Sequence, residues 1–164
     1  MIIRKARSSD YETISLFLRD IAELHRKGRP DIFKKDARKF SEKEFLDMLE
    51  DETKPVFVAG DDDADSKKIY AHAFCQIREH PERSVAYKRR SLFLDDLYVD
   101  PSVRGSGVGG MIIDFLKSYG RSTGCYNLEL NVWEFNQGAI TFYEKQGMHT
   151  QSRQMEIILN GDIG

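Results

Sequence analysis

The sequence predicts a single mixed α/β layer, with elements in the order β-α-α-β-β-β-α-β-α-β. Three observations lead there. Four stretches repeat apolar residues at helical spacing, while the segments between them alternate or run apolar over strand lengths. A glycine-rich segment, Gly105 to Gly110, joins a strand to a helix. The length of 164 residues suits one domain, residues 1–164, whose core can bury roughly 70% of the unfolded surface.

Each element has its own warrant. Ile2 to Ala6 is a short apolar strand. Ser9 and Glu12 have capping-box spacing and open a helix carrying Ile14, Phe17, Leu18, Ile21 and Leu24, which Gly28 and Pro30 end. An irregular stretch through Ile32 and Phe33 leads to a second box, Ser41 to Glu44, and a shorter helix with Phe45, Met48 and Leu49. Val56 to Ala59 is a buried strand. Ile69 to Ile77 alternates, with Ala71, Ala73 and Cys75 on one face and Tyr70, His72 and Phe74 on the other. The acidic segment 60–66 between them is expected as a solvated hairpin turn, since it lacks the glycine and distal glutamate of a calcium loop. Residues 79–90 are polar and expected to form a loop.

Leu92 to Val99 is the next strand, broken by Asp100-Pro101. The glycine-rich segment then enters a helix with Met111, Ile112, Phe115, Leu116 and Tyr119 on one face, closed by Gly120 or Gly124. Tyr126 to Trp133 alternates as a strand. Asn136 leads into a last helix bearing Ala139, Ile140, Phe142 and Tyr143, stopped by Gly147. Met148 to Leu159 has the composition of a final strand.

Charge and cysteine usage remove several classes of function. Lysine and arginine number 25 against 27 acidic residues, a net charge of −2, so no global positive field favours nucleic acid. Cys75 and Cys125 lack metal-ligand spacing, and no metal site is expected. Charges interrupt every apolar run before about 18 residues, so no membrane span is expected. Met1-Ile2-Ile3-Arg4-Lys5 places charge where a signal peptide needs an apolar core, which suggests a cytoplasmic protein.

Glycines at a strand-to-helix junction let backbone amides approach an anion where the helix dipole is positive, so a phosphate group is the natural ligand. Gly105-x-Gly107-x-x-Gly110 formally matches a dinucleotide fingerprint. Five residues including Pro101 separate it from its strand, however, and the acid expected about 20 residues on would be the mid-strand Glu129. No Gly-Lys-Ser/Thr follows, which excludes a P-loop.

Strand, Asp100-Pro101, Arg104-x-x-Gly107-x-Gly109 and an amphipathic helix together resemble the acyl-CoA signature of the GNAT N-acetyltransferase superfamily. Leu128-Glu129-Leu130-Asn131-Val132 is similar to that family's fifth strand. Asn136-x-x-Ala139-x-x-Phe142-Tyr143-x-x-x-Gly147 is similar to its second motif. The resemblance implies an acyl-CoA N-acyltransferase-like mixed central sheet. It also implies transfer of an acetyl group from acetyl-CoA, as co-substrate, to a primary amine by direct attack in a ternary complex. It assigns the CoA pyrophosphate to Arg104, Gly105, Ser106, Gly107, Val108 and Gly109. Leu97, Tyr98 and Val99 are assigned to the pantetheine and acyl carbonyl, Asn136 to the CoA arm, and Tyr143 to protonation of the leaving thiolate. A non-catalytic acyl-CoA-binding module is the alternative of another class.

An amine near pKa 10.4 must lose a proton before it attacks. Asp95 occupies the place where relatives carry an acidic base. Asp96 is its neighbour, placed by simple alternation on the opposite face, and Glu129 is a remoter candidate. The four histidines show no mutual spacing, although His25 falls on the first helix, which flanks the acceptor cleft in relatives. If three or more of Glu23, Asp31, Asp95, Asp96 and Glu134 line that cleft, it is negative and favours a small polycationic amine over a neutral or acidic peptide N-terminus, with a protein N-terminal acetyltransferase the alternative within the enzyme class. A homodimer is also compatible with the resemblance.

Overall fold

A computed structural model describes residues 1–61 and 68–160. The turn expected at 60–66 therefore lies outside the described residues, except for Gly60 and Asp61. Five strands, β1 (Ile2–Lys5), β2 (Val56–Gly60), β3 (Ile69–His80), β4 (Arg89–Val99) and β5 (Asn127–Leu130), lie in sequence order across one sheet. Pairing is antiparallel until β5, which joins β4 in parallel.

Two helices cover each face. Alternation along β2 and β3 sends Val56, Val58 and Phe74 toward α1 (Tyr11–Gly28) and α2 (Glu42–Leu49), where Ile14, Phe17 and Phe45 complete one core. Phe57, Ala59, Ala71 and Ala73 face the other way. The small alanines let α3 (Val108–Ser122) pack closely through Ile112, Ile113 and Leu116, and α4 (Gln137–Lys145) adds Phe142 and Tyr143. Among the described residues no helix is long and apolar enough to cross a membrane.

Several boundaries differ from the sequence expectation. A 3-10 turn, Ser8–Asp10, precedes α1, and the capping carboxylate is Asp10, which accepts from Arg7 N–H at 2.7 Å. Asp10 is buried and also receives Arg4, so it captures the cap position from Ser9 and Glu12. The second box forms as expected, with Ser41 and Glu44 capping one another. The polar 79–90 loop shortens, because β3 runs to His80 and β4 begins at Arg89, with Arg90 holding Glu79 across the ladder. Gly120 lies buried inside α3, and left-handed Gly124 follows the helix instead. Met111 is exposed rather than packed. β5 is shorter than the alternating Tyr126–Trp133 segment. The final strand expected over 148–159 does not form within the chain, because its apolar side chains meet no sheet edge.

Candidate active site

The site begins as a gap in the sheet. β5 pairs with β4 only as far as Leu94 opposite Leu130, whereas β4 continues through Asp95 to Val99. Asp100 N–H donates to the Tyr70 carbonyl on β3 at 2.7 Å. Strand alternation then turns the main-chain groups of Val99 and Leu97 away from β3 and into the gap. The side chain of Arg104 reports the same orientation, since its Nε donates to the Val99 carbonyl at 2.9 Å. Leu97 N–H is thus a fixed donor beside the opening. Tyr98 points the other way: its ring stacks on Phe17 at 4.5 Å and its hydroxyl donates to Asp20 at 2.6 Å. Burial together with that bond pushes its pKa to about 12. The Tyr98 side chain belongs to the fold.

At the end of this strand the chain turns twice through left-handed glycines, Gly105 at φ 82° and Gly107 at φ 89°, before α3 begins. An added Cβ at either would meet nothing within 4 Å, so conformation rather than packing requires glycine there. The first amides of α3, from Val108 to Gly110, precede any intrahelical acceptor. They follow directly on the left-handed turns at Gly105 and Gly107, and free amides at a helix start suit a pyrophosphate. Ser106 N–H, by contrast, already donates to the Val103 carbonyl at 3.3 Å. Gly109 differs, because its Cβ would lie 3.0 Å from the Phe142 ring, so its glycine lets α4 approach. Asn136 caps α4 by accepting from Ala139 N–H at 3.2 Å, which commits its carboxamide oxygen to the fold.

The carboxylates are arranged differently from the alternating pattern. Phe74 pairs with Asp96 and Cys75 with Leu94, leaving Asp95 as a bulge. The bulge brings both acids to one ammonium: Lys39 Nζ lies 2.7 Å from Asp96 and 3.1 Å from Asp95. Asp96 is deeply buried, its side chain 2% exposed, and it also accepts from His72 Nε2 at 2.8 Å. Burial pushes the Asp96 carboxyl upward, but His72 and Lys39 outweigh it and hold the group below its ordinary range. Burial likewise lowers the Lys39 ammonium, and the two acids more than restore it, leaving it raised. Asp95 is the open member of the pair, its side chain 29% exposed.

Tyr143 packs against the same apolar cluster as Leu97 and Val99, edge-on to Phe142 at 5.2 Å. Its hydroxyl makes no hydrogen bond among the described residues. Burial, with Asp96 adding to it, drives the phenol well above its ordinary pKa, so it stays protonated and able to donate.

Beside the acids stands an aromatic wall. His25 lies 5.2 Å from Phe33, Phe33 meets Trp133 edge-on at 5.5 Å, and Trp133 stacks on Phe135 at 6.0 Å. The His25 pKa is lowered by burial, partly offset by Asp96, with Lys39 lowering it further. The acid-lined cleft expected here is compensated from within: Glu23 pairs with Arg26, Asp31 with Arg29, and both strand acids with Lys39. Glu129 faces elsewhere, accepting from Asn127 and Gln151.

Lys39 and His72 are the residues that sequence reasoning missed. His72 pairs with Tyr98 across the ladder, and Asp96 stands two residues from Tyr98, so a cross-strand diagonal carried the signal. Nothing local marks Lys39.

The family model described as "Acetyltransferase (GNAT) family" matches residues 18–148. Glucosamine 6-phosphate N-acetyltransferase of Trypanosoma brucei brucei is 39% identical over 66 residues, covering 40% of this chain and 43% of that protein. The chain thus spans less than half of that relative. Thialysine N-epsilon-acetyltransferase of Mus musculus is 27% identical over 148 residues, covering 88% of this chain and 82% of that one. Among solved structures, a point variant of the BH1408 protein of Bacillus halodurans superposes with a TM-score of 0.91. It shares 32% identity and covers 98% of this chain and 100% of its own.

Proposed function

The chain belongs to the GNAT acetyltransferase family, and on that footing we propose that it transfers an acetyl group from acetyl-CoA to the primary amine of a small molecule. The observation that carries this reading is the stretch of β4 beyond the end of β5, which holds Asp95 paired with Lys39 and whose Leu97 and Val99 pack on the same apolar cluster as Tyr143. The open left-handed turn at Gly105 and Gly107 follows the same strand and fits the diphosphate of CoA.

Acetyl-CoA supplies a thioester, whose carbonyl carbon takes the amine and whose sulfur leaves as thiolate. The chain's residues do the remainder. The amides of Gly105, Gly107, Val108 and Gly109 hold the pyrophosphate, and the Asn136 amide nitrogen is available to the CoA arm. Arg104, bound to the Val99 carbonyl, ties the turn to β4. Leu97 N–H stabilises the charge that grows on the acyl oxygen during attack. Asp95 accepts the proton of the acceptor ammonium, while Lys39 and buried Asp96 fix its position. Tyr143 gives its proton to the departing sulfur and is reprotonated, through water, by the second proton that the new amide nitrogen sheds. Asp95 releases its proton to solvent, so the products are the amide, the CoA thiol and one proton. Cys75 does not serve as an acyl carrier, because burial pushes its thiol far above neutral pH.

Relatives named for glucosamine 6-phosphate and thialysine support a small, hydrophilic amine as acceptor. A thiol-release assay with acetyl-CoA and a panel of amino sugars, lysine analogues, polyamines and peptides tests the reading. Amine-dependent release with at least one small amine is expected. Tight acetyl-CoA binding without release for any acceptor would instead identify a binding module.

A further inference from the structure

Lys39 puts an ammonium between the two strand acids. Its Nζ lies 2.7 Å from Asp96 Oδ2 and 3.1 Å from Asp95 Oδ2. The segment that carries it is anchored beside them: Phe40 stacks on Phe74 of β3 at 5.2 Å, and Lys39 Nζ sits 5.4 Å from the Phe40 ring. The other Asp96 oxygen accepts from His72 Nε2 at 2.8 Å, which fills that buried carboxylate. The second Asp95 oxygen has no partner among the described residues, and that side chain reaches solvent. One place for a cation is therefore taken and one is open.

The surrounding charge is balanced in the same manner. Arg26 neutralises Glu23, and Arg29 holds both Asp31 and Glu156, while Glu134 is exposed. Two strand acids with one ammonium leave a single negative charge, on the open side of Asp95. The row of acids in the sequence would suit a polycation. The fold instead brings a second positive charge from within the chain, across 57 positions of sequence. Both acids keep that ammonium charged against the burial that opposes it.

We propose that Lys39 sets acceptor specificity by filling the place of a second ammonium, so that the site takes amines carrying one positive charge and discriminates against diamines and longer polyamines. The proposal rests on the reading of Asp95 as the group that receives the acceptor ammonium. The free Asp95 oxygen accommodates that one ammonium. A second ammonium on a short chain would have to approach Lys39, and like charges a few ångströms apart in a half-buried site repel far more strongly than in bulk water. Removing the lysine charge vacates a place already bounded by two carboxylates. A diamine then brings from solution the cation that the chain no longer provides, and the order of preference reverses.

Butylamine and putrescine share one carbon chain and differ by one ammonium, so they serve as the probe pair. Acetyl-transfer kinetics with both are compared at constant ionic strength for wild type, Lys39→Ala and Lys39→Arg. The putrescine-to-butylamine ratio of kcat/KM should rise at least about tenfold in Lys39→Ala and hold in Lys39→Arg, which keeps the charge. A lysine that only supports the fold would change both amines alike. Lys39→Met carries the same comparison if Lys39→Ala does not fold. Thermal melts without acetyl-CoA test the vacated place separately: either amine should raise the Tm of Lys39→Ala more than that of wild type or of Lys39→Ala with Asp96→Asn. An unchanged kcat/KM ratio, or a thermal gain no larger than in those two controls, would overturn the proposal. If no form acetylates either amine, the acetyl-transfer reading of these acceptors is at fault, and the melts still decide whether Lys39 fills an ammonium site.

Discussion

Replacing Lys39 with methionine keeps the aliphatic stem and removes the charge, which isolates the ammonium's role. Asp96 is 2% exposed and carries its charge because Lys39 and His72 hold it. Breaking a buried ion pair by deleting one partner costs about 3–5 kcal/mol. Here His72 keeps one hydrogen bond to Asp96 and Asp95 reaches solvent, so about 2–3 kcal/mol is the reasonable share. For a domain of this size that corresponds to a fall of about 4–12 °C in Tm at neutral pH. The pH dependence identifies the cause. The Asp96 carboxyl is lowered in the folded chain, so its contribution is present above its unfolded pKa and lost as pH falls through the folded value. The Lys39 ammonium is raised, so its contribution is present below its unfolded pKa and lost as pH rises through the folded value. The deficit of Lys39→Met should therefore be full at neutral pH and shrink in acid. Thermal melts of wild type, Lys39→Met, Asp96→Asn and the double variant, at neutral and acid pH, measure this. The double variant should be far less unstable than the sum of the single changes. Additive losses, or the same loss at both pH values, would refute the reasoning.

Tyr143→Phe retains the packed ring and deletes the proton donor, so kcat should fall by about 10²- to 10⁴-fold while acetyl-CoA affinity holds. Pre-steady-state turnover and calorimetry separate the two. Gly107→Val forces a β-branched residue into a left-handed turn, at a stability cost of about 1–3 kcal/mol, and should weaken CoA binding at least tenfold by calorimetry. Gly124→Val carries the same backbone strain beyond the other end of α3 and should leave CoA affinity unchanged. Gly28→Ala would drive a Cβ into the Phe135 ring, so the aromatic wall must shift. The acceptor KM should change more than the acetyl-CoA KM in two-substrate kinetics.

Local signals in the sequence proved dependable where the physics is local. The apolar periods of α1 and α3 pack inward apart from Leu24 and Met111, the Ser41–Glu44 cap forms, and Gly105, Gly107 and Gly147 take left-handed backbone at the turns where the sequence places them. Prediction failed where a choice is made between distant partners. Asp10 displaced Ser9 as the cap because Arg4, from the preceding strand, neutralises it in a buried position. The bulge at Asp95 is invisible to alternation, which assumes an unbroken ladder and so puts the two acids on opposite faces. Lys39 reaches Asp96 across 57 positions of sequence from an irregular segment whose composition gives no hint of burial. The segment after α4 shows the remaining limit, since strand composition states a preference and only a neighbouring edge can satisfy it.

The most direct test follows the acetyl group itself. Acetyl-CoA labelled in its acetyl carbon is mixed with enzyme and an amine acceptor for a single turnover, and label is tracked on amine, protein and acetate while free thiol is recorded. Direct attack requires label to appear on the amine at the rate of thiol formation, with none accumulating on the protein and both rates falling together in Tyr143→Phe. Label that pauses on the chain, or leaves only as acetate, would contradict direct transfer to an amine at this site.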